Sequence, residues 1–128
     1  MRTRTRLSAA ALVVLLAALP ARAADLSGKW TAAFDTQVGP QKYTFQLKAE
    51  GEKVTGKASF ERMGQTGEAL LLEGKLSGDQ VSFVETFDAM GTTVRIEYQG
   101  TVKGDEIAFT RKVGDFATEQ FVARRAKD

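Results

Sequence analysis

From about residue 29 onward the chain alternates with a period of two. Trp30, Ala32 and Phe34 alternate with Thr31, Ala33 and Asp35, and Tyr43, Phe45 and Leu47 alternate with Thr44, Gln46 and Lys48. Val81, Phe83, Glu85 and Phe87 repeat the pattern, as do Val94, Ile96 and Tyr98. Successive side chains of a strand point to opposite faces, so this is the signature of strands with one buried face, whereas an amphipathic helix would space its apolar residues by three and four. Eight strands are expected, over 29–35, 42–48, 53–60, 67–76, 80–87, 93–102, 106–111 and 117–125, with no sizeable helix.

The turns between them recur. In "LEGKLSGDQVSF" (72–83) and "YQGTVKGDEIAF" (98–109), Gly74, Gly78, Asp79 and Phe83 return 26 residues later as Gly100, Gly104, Asp105 and Phe109. Glycine followed by an acid between alternating runs is tight-turn chemistry. Short connections favour sequential neighbours, hence an antiparallel up-and-down meander. Eight such strands must cover one apolar face with no helix available. Closing the sheet into a small barrel does this and also removes exposed edges. A two-sheet sandwich is the competing arrangement.

Residues 1–23 stand apart. Arg2, Arg4 and Arg6 precede the apolar run Leu7 to Leu19, and Pro20 precedes the small-x-small triplet Ala21-Arg22-Ala23. This is the anatomy of a secretory signal peptide, and the run falls short of the roughly 20 residues of a membrane span. The expectation is an exported chain, periplasmic or secreted, cleaved near Ala23. It would comprise one domain over 24–128 with no stable membrane anchor. Four arginines and no acid fall in the leader, so 14 basic and 16 acidic residues remain, a net charge of −2. The basic precursor therefore gives no reason to expect nucleic acid as a partner.

The chain has no cysteine and no histidine. That removes Cys-His and Ser-His-Asp catalysis, disulfides, and the commonest zinc ligands. The acids at turns, Asp79 and Asp105, lack the clustered spacing of a calcium loop. No metal, cofactor or catalytic residue is expected; Glu85 and Glu119 are the only inward acids, and paired carboxylates are too common to signal glycosidase work.

Gly28-Lys29-Trp30 at the start of the first strand resembles the G-x-W signature of calycins, the lipocalin, fatty-acid-binding and avidin-type barrels. The resemblance implies an eight-stranded barrel in which the tryptophan seals the closed end beneath an arginine of the last strand, here Arg124 or Arg125. A cation over an indole face is a sound physical pair. The chain departs from the family in its small size, in lacking a later helix and cysteines, and in having a single tryptophan. It is also similar in size and in its "LSGKW" start to periplasmic inhibitors of bacterial metalloproteases, without their disulfide.

In a meander the loops alternate between two ends. The end near Trp30 receives "AEGEK", "SGDQ" and "KGDE". The other receives Val38-Gly39, Met63-Gly64, Met90-Gly91 and Val113-Gly114, each an apolar residue followed by glycine. These residues are expected either to form rim contacts or to tuck beneath their own loops. Strand parity also brings Tyr43, Glu85, Arg111 and Glu119 inward at this end, among Phe34, Phe60 and Phe87. Glu85 and Arg111 lie on non-adjacent strands and can meet across a lumen. The candidate ligand-binding set is therefore Phe34, Tyr43, Phe60, Glu85, Phe87, Met90 and Arg111. Two functions follow as expectations. One is a non-enzymatic barrel binding a small apolar or amphipathic ligand at this mouth. The other is a protein-interaction module, such as an inhibitor of an exported protease, using the rim. Oligomeric state leaves no trace in the sequence.

Overall fold

The computed structural model describes residues 25–127. The leader expected over 1–23 and the start at Ala24 lie outside the described residues. The described residues form nine strands: β1 (Gly28–Thr36), β2 (Gly39–Glu50), β3 (Lys53–Arg62), β4 (Gln65–Leu70), β5 (Leu72–Ser77), β6 (Gln80–Ala89), β7 (Thr92–Lys103), β8 (Glu106–Val113) and β9 (Ala117–Arg125). All pairings are antiparallel between chain neighbours, apart from β1 with β9 and β3 with β5, and the sheet closes on itself. The architecture is the expected eight-position meander barrel, with one position divided into two strands.

The divided position is β4 and β5, where the sequence predicts one strand over 67–76. Gly67, Ala69 and Leu71 face inward on odd numbers, whereas Gly74 and Leu76 face inward on even numbers. One extra residue must be absorbed between them. Glu73 takes it up with a φ of +55°, and the β5–β6 register shifts between Leu72 and Lys75. This is a β-bulge, which bends the strand and lets its two halves find different partners. β4 pairs with β3 alone, while β5 bridges β3 and β6. The upper half of β6, Glu85 to Ala89, is laddered to β7 only.

The seam between β1 and β9 is also short, with Trp30 opposite Arg125 and Thr31 opposite Arg124. Above it, Phe34 and Phe121 stack at 4.2 Å between centroids and close the wall with side chains. The centre of the barrel is packed by aromatic rings. Phe45, Phe83, Tyr98 and Phe109 contact one another at 5.0–5.9 Å in tilted and edge-on arrangements. Offset and T-shaped pairs of this kind add to the free energy of area burial. The middle of the lumen therefore holds side chains rather than a cavity.

Trp30 lies at the closed end, fully buried, and its indole Nε1 donates to the Leu26 carbonyl at 2.9 Å. Arg125 lies over the ring, with Cζ 4.3 Å from the centroid. It is held there by the carbonyls of Asp25 (2.7 Å) and Ser27 (3.0 Å) and by the Asp105 carboxylate (3.0 Å). Arg124, the other candidate for this cap, points outward and pairs with Glu106 at 3.4 Å. Neighbouring residues of a strand face opposite ways, so only one of the two can reach the indole. Gly28 completes the arrangement: its φ is +134°, and a Cβ there would sit 3.1 Å from the Arg125 guanidinium.

Candidate functional site

At the opposite end the inward positions of the strands turn polar. Tyr43 and Gln41 extend the inward parity of β2, Glu85 and Phe87 that of β6, Arg111 that of β8, and Glu119 that of β9. Glu85 is wholly buried, and Arg111 and Gln41 nearly so. Burying such groups is costly unless they are paired.

The pairing is indirect. Glu85 and Arg111 make no ion pair with each other; two tyrosine hydroxyls stand between them. Tyr98 donates to Glu85 Oε1 at 2.7 Å and accepts from Arg111 Nε at 3.0 Å. Tyr43 donates toward the Glu85 carboxylate at 3.2 Å and accepts from Arg111 Nη2 at 3.1 Å. Arg111 is completed by a salt bridge to Glu119. Arg62 reaches in from β3, donates to Tyr43 Oη at 3.3 Å, and lies 3.9 Å from Glu85 Oε2. Its guanidinium rests on the Phe60 ring at 3.7 Å. Two cations and two carboxylates thus balance around two hydroxyls.

The tyrosines register this environment. Burial, reinforced by the Glu85 carboxylate, pushes the Tyr43 phenol above its ordinary pKa and pushes Tyr98 well above it. Burial works against the charge of Arg111, but Tyr98, Tyr43 and Glu119 outweigh it and hold its pKa above that of a free arginine.

Above this layer lies a cavity of about 480 Å³ that opens at the rim. Ligand pockets usually fall between about 300 and 1,000 Å³. Arg111, Glu119, Gln41 and Arg62 form its polar base, and Phe87, Val113 and Ala117 line its sides. Val38, Met63 and Phe116 stand at its edge, each largely exposed.

Of the residues singled out from the sequence, Phe87 and Arg111 border the cavity, as do Val38, Met63 and Val113 of the rim set. Tyr43, Phe60, Glu85 and Phe34 lie beneath or beside it as packed structure and do not line it. Met90 is 103% exposed and does not line the cavity. The apolar loop residues Val38, Met63 and Met90 do not tuck under their loops. Met63-Gly64 and Met90-Gly91 are two-residue hairpin turns in which both residues have positive φ (+53° and +79°, +52° and +83°), directing each methionine outward. This is type I′ geometry, which normally favours asparagine or glycine at the first position.

Arg62, Gln41 and Phe116 were missed by sequence reasoning. Gln41 and Arg62 were legible, since each continues the inward parity of its strand by one step beyond Tyr43 or Phe60. Phe116 sits in a three-residue loop, where parity gives no direction.

The closed meander, sealed at one end by Trp30 and Arg125 and left open over a polar layer at the other, is an up-and-down β-barrel with one open mouth, the architecture that the G-x-W resemblance implies. No family model matches the chain, and no curated protein matches it. Among solved structures it is similar to an asparagine-to-alanine variant of the fluorescent protein UnaG, with 16% identity and a TM-score of 0.48, over 80% of this chain and 96% of that one.

Proposed function

We propose that this protein is an exported, non-enzymatic barrel that binds a small amphipathic ligand at its open end. The observation that carries the reading is the 480 Å³ cavity, with apolar walls above a polar base of Arg111, Glu119, Gln41 and Arg62. Binding pockets combine these features: apolar surface supplies affinity and a few fixed polar groups orient the ligand. Phe87, Val113, Met63 and Phe116 would contact the apolar body, with Arg62, Gln41 and Arg111 at its head. Export rests on the leader-like residues 1–23. The non-enzymatic reading rests on a polar layer whose groups are engaged with one another and on a chain without histidine or cysteine. Native mass spectrometry of the protein recovered from its own cell envelope or medium tests the proposal. A retained small molecule is expected; a protein that consistently arrives empty and takes up no amphipathic probe would refute it.

A second reading draws on Met90, fully exposed and outside the cavity, and on Val38, Met63 and Phe116 beside the mouth. Exposed apolar residues gathered at one rim favour a protein contact, such as inhibition of an exported protease. The same mass spectrum separates the two, because a retained protein would take the place of the small molecule.

A further inference from the structure

We infer that the ligand's head is uncharged and both gives and takes hydrogen bonds, as a hydroxyl or a carboxamide does; this rests on the mouth-binding reading above. The first ground is charge. Arg62 and Arg111 are matched by Glu85 and Glu119, so the base of the cavity is balanced without a ligand. A carboxylate ligand would have to displace Glu119 from Arg111 or lie beside it, since both line the cavity. An ammonium would meet Arg62 and Arg111. In a partly desolvated site like charges repel strongly, and either exchange leaves a charge unpaired.

The second ground is the unmet hydrogen-bonding capacity. Gln41 is 5% exposed and borders the cavity, and its Oε1 is buried without a hydrogen-bond partner. Its Nε2 makes only a long contact to Thr36 Oγ1, at 3.4 Å. An unpaired buried carbonyl is costly, and a donor from a ligand would satisfy it. The side chain of Arg62, beside it on the adjacent strand, makes one hydrogen bond among the described residues, to Tyr43. Gln41 and Arg62 are directly paired in the β2–β3 register. A turn of the buried Gln41 amide toward the cavity would place an acceptor beside the spare N–H donors of Arg62. A carboxamide or hydroxyl can answer both at once, whereas a carboxylate has no proton for Gln41.

The test is calorimetric titration of the folded protein with four probes that share one alkyl chain: decanamide, decanol, decanoate and decylamine. Decanamide and decanol are expected to bind about ten-fold more tightly than either charged probe, the usual consequence of one well-made buried hydrogen bond. Gln41→Leu should bring decanamide down to the level of decanoate, with the fluorescence of Trp30 at the far end checking that the fold is retained. Gln41→Glu should shift the preference to decylamine. Decanoate binding as tightly as decanamide in the wild-type protein would overturn this inference while leaving binding at the mouth intact. Failure of all four probes to bind would overturn both.

Discussion

Glu85 on β6 and Arg111 on β8 flank β7 and are bridged by the hydroxyl of its Tyr98, which donates to one at 2.7 Å and accepts from the other at 3.0 Å. Tyr43 makes a second, longer bridge between the same two groups. The bridges let both charges be buried without direct contact. They also make each member dependent on the rest. Tyr98→Phe strips Glu85 of its shortest donor and Arg111 Nε of its acceptor. It should cost about 1–3 kcal/mol, the penalty for leaving buried polar groups unpaired. Arg111→Met removes a buried charge and leaves Glu119 without its partner, and should cost more, about 3–5 kcal/mol. Urea unfolding measures both; a smaller loss for Arg111→Met than for Tyr98→Phe would contradict the bridged arrangement.

The chain has two tyrosines, and both belong to this layer. Their phenols are held above the ordinary pKa, so the folded state keeps protons that the unfolded state has released above about pH 10. The unfolded state then binds fewer protons, and stability falls as pH rises through that range and beyond. Below it the difference in proton binding vanishes and this contribution is flat. Phenolate absorbance during an alkaline titration should therefore appear together with loss of Trp30 fluorescence structure, as one cooperative step. Phenolate forming near pH 10 in a still-folded protein would show that the tyrosines are not buried as described.

At the closed end, Arg125 combines a cation–π contact with three hydrogen bonds in a fixed fork. Arg125→Ala should cost about 1–3 kcal/mol and expose Trp30 to aqueous quenchers. Arg125→Lys should recover little of this, since an ammonium cannot reproduce the planar, forked geometry. Arg124→Ala, one residue away on the outer face, should stay within about 0.5 kcal/mol of wild type. Equal effects at 124 and 125 would refute the assignment of the cap.

Met63 and Met90 occupy equivalent hairpin positions with positive φ, a conformation in which asparagine is preferred. Met63→Asn and Met90→Asn should each leave stability unchanged or raise it by up to about 1 kcal/mol. Only Met63 borders the cavity. Its replacement should weaken binding of an amphipathic probe several-fold, whereas Met90→Asn should leave probe binding unaffected. Loss of a protein partner with Met90→Asn, alongside unchanged probe binding, would instead favour the interaction reading.

Strand alternation carried most of this fold into the sequence, because a barrel with a packed lumen forces the apolar residues onto every second position. The exception is instructive. In "ALLLEGK" (69–75) three consecutive leucines hide the change of parity: Leu71 is buried, while Leu70 and Leu72 face outward. An apolar run reads the same before and after a bulge, so the split into β4 and β5 could not be located. The polar layer was legible through Tyr43, Glu85 and Arg111, whose parity placed them inside. The Tyr98 bridge follows from register, since Tyr98 pairs directly with Arg111 on the strand between Arg111 and Glu85, but the Tyr43 bridge depends on side-chain reach across the lumen. The cavity was only half legible: parity indicates which residues face inward, but not Phe116, which borders the cavity from a loop.

The central claim is that a ligand enters at the Met/Val end and stops above the tyrosine layer. Mapping backbone and side-chain NMR shifts during titration with decanamide tests it most directly. The account predicts shifts at Gln41, Arg62, Phe87, Phe116 and Ala117, with the single indole N–H of Trp30 unmoved. Shifts centred on Trp30 or on the outer strand faces, or no shifts at saturating probe, would contradict it.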